Sequence, residues 1–133
     1  MMTIFTKIAK GEIPSYKVAE NDDFYAFLDI NPMTKGHTLV IPRNTEEDYI
    51  FHLDNKTYLG LMQFSKSVAL AIEKAILCKR IAVTVMGLEV PHTHIHLVPI
   101  DKESDMNIAN PKLKLSTEEM AEIAEKIRNE FIP

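Results

Sequence analysis

The chain has no tryptophan, a single cysteine and only four glycines among its 133 residues. Cys78 alone cannot close an intrachain disulfide, so no covalent staple is expected, and a reducing compartment suits the chain. No stretch approaches the roughly eighteen uninterrupted apolar residues of a membrane span. The start, MMTIFTKIAKGEIPSYK, lacks the long apolar core and small-residue cleavage site of an export signal. Excess basic charge is missing as well. A formal net charge of -4 leaves no basic stripe for broad nucleic-acid binding, so an anionic ligand would need local groups to hold it. These absences point to a soluble cytoplasmic protein with neither a membrane nor a nucleic acid as partner.

What is present is ordinary in bulk and unusual in one place. Hydrophobic residues make up 46% and charged residues 26%, enough for residues 1–133 to bury the core of a single domain. Thr3 to Lys10 reads as a short helix stopped by Gly11 and Ile13-Pro14. YKVAEN and FYAFLDI read as strands around a polar Asn21-Asp22-Asp23 turn, and HTLVIP as a third. A helix is expected from about Lys56 to Cys78. Tyr58, Leu61, Met62, Val68, Ala69, Ile72 and Ile76 form its main apolar stripe. Leu59, Phe64, Leu70 and Leu77 fall off that stripe, and a second apolar face suggests a partner subunit. RIAVTVMG and His92 to Ile100 read as two more strands. Asp101 to Leu115 is polar and punctuated, hence loop. Ser116 with Glu119 three residues on is a capping box for a last helix carrying Met120, Ile123, Ala124, Ile127 and Phe131. Strands grouped about one long helix predict an α+β fold with an antiparallel sheet.

The unusual place is VPHTHIHLVPI, where His92, His94 and His96 alternate in a chain with five histidines. On a strand, alternate residues share a face at roughly 7 Å spacing. Three readings compete. The file could be a polar, solvent-facing strand edge. A His-x-His pair could hold a metal, though no Cys, Asp or Glu accompanies it on that strand face. Or one imidazole could be a nucleophile toward phosphorus, with its neighbours orienting it and meeting the phosphate charge. Spacing favours the third, and Gly87 before the strand would let backbone N–H groups approach a phosphate.

His92-Thr93-His94-Ile95-His96-Leu97-Val98 resembles the signature of the histidine triad (HIT) family of nucleotide-binding proteins. IFTKIAKGEIPSYKVAENDDFYAFLDINPMTKGHTLVIPR is similar to that family's N-terminal half. Together the blocks cover about residues 3 to 100. The resemblance implies a five-stranded antiparallel sheet with a long helix and a C-terminal helix, paired as a homodimer. It implies a purine nucleotide substrate attacked at the α-phosphorus by His94, forming a nucleotidyl-histidine that water then hydrolyses. On the same basis His96 would meet the phosphate and leaving group, while His92 and His37 would orient one another beside the nucleophile. The His92 carbonyl would accept the Nδ1 proton of His94. Asp29 would bind the ribose hydroxyls, and Ile30 and Phe5, both read as core residues, would line the base pocket. Nucleoside phosphoramidates and dinucleoside polyphosphates are the substrate classes implied. A non-catalytic nucleotide-binding module is the alternative.

Two departures from the family pattern matter. Many bacterial members carry Cys-x-x-Cys near the N-terminus as part of a structural zinc site. Here that stretch is Thr3-Ile4-Phe5-Thr6, and Asn44-Thr45 stands where a histidine follows VIPR. No metal and no cofactor are therefore expected. The approach to the triad also differs, with Ile81 in place of an asparagine and Gly87-Leu88-Glu89 where a polar group is usual. Glu89 is counted with Gly87 among the substrate-binding candidates. Its carboxylate is expected to raise the pKa of nearby histidines.

Overall fold

The computed structural model describes residues 2–133. A short helix α1 (Ile4–Ala9) leads into strands β1 (Lys17–Glu20), β2 (Phe24–Leu28) and β3 (Thr38–Pro42). The long helix α2 (Asn55–Ala75) follows, then β4 (Arg80–Thr84), β5 (Ile95–Ile100) and the C-terminal helix α3 (Thr117–Glu130). The five strands form one antiparallel sheet, as expected, in the order β1-β2-β3-β5-β4. No helix among the described residues is long and apolar enough to cross a membrane.

Strand alternation divides the apolar residues between two faces. Phe24, Ala26 and Leu28 of β2, Val40 of β3, and Ile95 and Leu97 of β5 pack with α2 and α3 into the larger core. Tyr25 and Phe27, with Leu39 and Ile41, turn to the other face, where Phe5, Ile8 and Ala9 of α1 cover them. Continuous burial along β2 and β3 follows from this two-sided cover. His96 alternates with Ile95 and Leu97, so it falls on the α1 side.

Local chemistry explains the helix ends. Ser116 caps α3 with the expected box: its hydroxyl accepts from Glu119 N–H while the Glu119 carboxylate accepts from Ser116 N–H. Such a cap contributes about 1 kcal/mol. Gly60 lets α2 lie close on β2, since a Cβ there would meet the Phe24 ring at 2.8 Å. Helix α2 ends at Ala75, earlier than the expected Cys78, and Ile76 has extended backbone. Its stripe also differs from expectation. Met62 is exposed, whereas Phe64 is buried against Phe24 and against Phe131, the residue that ends α3. The β-sheet and α3 together wrap more of the helix than one stripe would supply. Leu59 and Leu70 remain exposed.

The largest difference lies at the histidines. Strand β5 begins at Ile95, so His92, Thr93 and His94 precede the ladder. Thr93 explains this: its N–H and its hydroxyl both donate to the Glu47 carbonyl, at 2.9 and 2.7 Å, and are withdrawn from sheet pairing.

Candidate active site

The three histidines do three different things. His92 is fully buried, with its Nε2 3.0 Å from the Pro42 carbonyl. A carbonyl only accepts, so Nε2 carries the proton and Nδ1 is the acceptor. That Nδ1 lies 2.9 Å from the Thr3 hydroxyl and 3.3 Å from that of Thr6. His94 has the opposite tautomer. Its Nδ1–H donates to the His92 carbonyl at 2.7 Å, as the family resemblance implied, and Nε2 keeps its lone pair. The Phe5 ring stands edge-on to His94, with centroids 5.0 Å apart.

His96 is set by a second chain of bonds. Met33 N–H donates to His37 Nδ1 at 3.1 Å, which places the His37 proton on Nε2. His37 Nε2–H then donates to His96 Nδ1 at 2.9 Å, leaving the His96 proton on its Nε2. His94 and His96 lie with ring centroids 4.8 Å apart, so a lone pair and an N–H donor stand side by side. The expected pairing of His37 with His92 is corrected: His37 orients His96, and the His92 ring turns toward α1. The cause is again Thr93, whose bonds to Glu47 take His92 out of the strand and off the common face.

Burial keeps this cluster uncharged. It is the largest influence on His37, pushed down to about 4, with Lys112 and His94 adding to it. Burial likewise brings His96 to about 4, assisted by His94 and His37. His94 also lies below the ordinary histidine value, because burial outweighs the opposing His92 carbonyl, Asp29 and Glu89. The Glu89 carboxylate does pull His94 upward, as expected, but desolvation is larger and the net shift is down. Neutral imidazoles are what a nucleophile and its donors require near neutral pH.

His37, His94 and His96 open on a cleft of about 330 Å³. Met33, Met86, Leu88 and Ile108 give it apolar walls, and Gly87, Glu89 and Lys112 also line it. Gly87 has φ +71°, a conformation that favours glycine, and a Cβ would lie 3.1 Å from the Asp48 carbonyl. Glu89 is exposed at the rim. Lys112 was missed in the sequence, sixteen residues past His96 in a polar loop. Leu113 N–H donates to the Pro32 carbonyl at 2.9 Å, which draws that loop across the cleft. Lys112 Nζ donates to the Ile108 and Asn110 carbonyls.

The other candidates separate. Asp29 is held by its own turn, its Oδ1 accepting from Asn31 N–H at 2.8 Å, and its Oδ2 is 3.7 Å from His37 Nε2. Burial pushes its carboxyl up, against that N–H and the positive influence of His96. Ile30, expected in the core, is 72% exposed because the Asp29–Asn31 turn points it outward. Phe5 is buried as expected, but it packs on His94 and Phe27 and does not line the cleft.

Comparison with known proteins gives the family. The HIT domain model matches residues 10–103. The chain belongs to the HIT family. It is 36% identical to an uncharacterised HIT-like protein of Borreliella burgdorferi over 132 residues, covering 93% of this chain and 94% of the relative. It is 34% identical to an adenosine 5'-monophosphoramidase of Schizosaccharomyces pombe, covering 98% and 99% of the two chains. Among solved structures, a HIT-like protein from Bartonella henselae superposes with a TM-score of 0.82 at 32% identity, over 97% and 96% of the chains.

Neither of two candidate places in this HIT fold suits a metal. Asp29, His37 and His96 bring ligand atoms within 4.8 Å of one another. A cation there would have to displace the Nε2 proton of His37, and Met33 N–H already occupies the other nitrogen. Near the N-terminus, Thr3 and Thr6 stand where many HIT proteins have thiolates. Two neutral hydroxyls stand in place of the thiolates, and with only the His92 imidazole and the Glu46 carboxylate beside them they are a poor set for zinc, which binds through charged or strongly basic donors.

Proposed function

We propose that this HIT protein is a nucleotide hydrolase or transferase, acting at the α-phosphate of a purine nucleotide through a covalent intermediate on His94. The observation that carries the reading is the 2.7 Å bond from His94 Nδ1–H to the His92 carbonyl, which leaves a neutral Nε2 on the cleft. Nε2 attacks the α-phosphorus, and the bond to the leaving group breaks with its electron pair. The Nε2–H of His96 meets the phosphoryl oxygen and leaving group, held in that role by His37. Water then attacks phosphorus, the P–N bond to His94 breaks, and a nucleoside monophosphate leaves. His92 orients the nucleophile through its carbonyl. Gly87 offers backbone N–H to the phosphate, Asp29 takes the ribose hydroxyls, and the exposed Ile30 beside it meets the base.

Nucleoside phosphoramidates and dinucleoside polyphosphates both present such a phosphorus. The activity named for the Schizosaccharomyces pombe relative supports the first class. We further propose a single HIT domain over residues 1–133, acting in the cytoplasm as a homodimer. The exposed Leu59 and Leu70 on α2, and the exposed Val83 on the edge strand β4, support the dimer.

The test is hydrolysis of adenosine phosphoramidate, with diadenosine polyphosphates in parallel and the intact mass recorded during turnover. A nucleotidyl adduct mapped to His94 is expected. His94→Ala should abolish turnover while changing nucleotide affinity by less than about tenfold, roughly 1.4 kcal/mol. Wild-type rates in that variant would rule out covalent catalysis by His94.

A further inference from the structure

The hydroxyls beside His92 have a consequence for the nucleophile. Thr3 caps α1, its Oγ1 accepting from Thr6 N–H at 3.1 Å. Its one proton has two acceptors in reach, the Thr6 hydroxyl at 3.2 Å and His92 Nδ1 at 2.9 Å, and the shorter contact is to His92. The Thr6 hydroxyl, 3.3 Å from the same nitrogen, donates toward Glu46 Oε1 at 3.5 Å, so Thr3 is the principal donor. With Pro42 accepting at Nε2, the buried His92 ring is held at both nitrogens.

This matters because the His92–Thr93 peptide has no ladder to hold it. Its carbonyl nevertheless fixes the tautomer of His94. The ring of His92 and the two bonds from Thr93 to Glu47 are the anchors that place that carbonyl. Phe5 sits between the two threonines in the chain and packs edge-on to His94. The N-cap and first turn of α1 therefore meet the nucleophile twice: through His92 by hydroxyl, and directly by an aromatic ring.

We propose that Thr3, assisted by Thr6, is a positioning residue for the nucleophile, acting through the ring of His92. The inference rests on the reading of His94 given above, but it has a readout that needs no turnover. Two-bond proton–nitrogen correlation of the imidazole rings in the substrate-free protein reports each tautomer. Wild type should show the proton of His92 on Nε2 and that of His94 on Nδ1.

In Thr3→Val/Thr6→Val, which keeps side-chain shape, the His94 signals should become those of mixed tautomers. The value of kcat should fall about tenfold with KM changed by less than about twofold. Thr3→Ser/Thr6→Ser, which restores both hydroxyls, should recover the wild-type spectrum and rate. Should the double valine variant fail to fold, the single variants decide: Thr3→Val must disturb His94 more than Thr6→Val. A single Nδ1–H tautomer of His94 in the valine variant, equal effects of the two single changes, or no recovery with serine would overturn the proposal. An inactive wild type would instead sink the proposed function, while the spectra still judged the role of Thr3.

Discussion

His37 Nε2 stands 2.9 Å from His96 Nδ1, across fifty-nine residues of sequence, and the bond has only one direction available to it. Met33 N–H occupies the other nitrogen of His37, so the proton runs from His37 to His96 and on to the cleft side of His96. A single backbone N–H thus sets two side-chain tautomers. Both imidazoles are then neutral donors in a site that burial keeps uncharged.

That burial makes stability depend on pH. His37 and His96 sit at about 4 when folded, against an ordinary value of 6.5. Between those values the unfolded chain binds more protons, so stability is full above about pH 6.5 and falls as pH drops toward 4. For a histidine as buried as His37, the loss by pH 5 is on the order of 2 kcal/mol. Thermal melts should show a Tm lower by about 5 °C or more at pH 5 than at pH 7. His37→Gln, with one such group fewer, should flatten the slope. An unchanged slope would mean that His37 is not buried neutral.

Glu89 should act on the rate through His94. The carboxylate favours the protonated ring, although burial still holds His94 below its ordinary value. The acidic limb of the pH–rate profile should therefore lie below the ordinary histidine range. Glu89→Gln removes the upward pull and should move that limb further to the acid side. A limb that stays in place would make Glu89 a surface residue of the rim.

Lys112 brings a cation to a cleft that otherwise presents neutral rings and one carboxylate. A substrate carrying phosphates beyond the α-phosphate would meet it. Lys112→Ala should raise KM for a diadenosine polyphosphate by about tenfold and for adenosine phosphoramidate by less than about threefold, in steady-state assays. Equal losses for both substrates would place Lys112 at the α-phosphate or outside the site.

The exposed leucines of α2 are expected to be covered by a second copy of the chain. Light scattering at micromolar concentration should report about twice the 15.1 kDa of one chain. Leu59→Glu/Leu70→Glu should halve that mass. A monomeric wild type would remove the dimer.

The sequence by itself determined the fold class and the family. Apolar spacing fixed the long helix, Ser116 and Glu119 fixed the start of the last one, and the His92-x-His94-x-His96 run marked the site. Those signals are local, carried by residues within a few positions of one another. The tertiary structure decided what depends on distant backbone groups. Thr93 takes His92 out of the strand only because Glu47 presents a carbonyl to it, so simple alternation misplaced that ring. Ile30 is apolar yet exposed because its turn faces outward, and Phe64 is buried because Phe131, just past α3, reaches it. Lys112 carries no motif and joins the cleft through one bond from Leu113 to Pro32. Protonation state was equally hidden. Residue type sets an ordinary pKa, but burial and the direction of each hydrogen bond set the real one, and both exist only once the chain has folded.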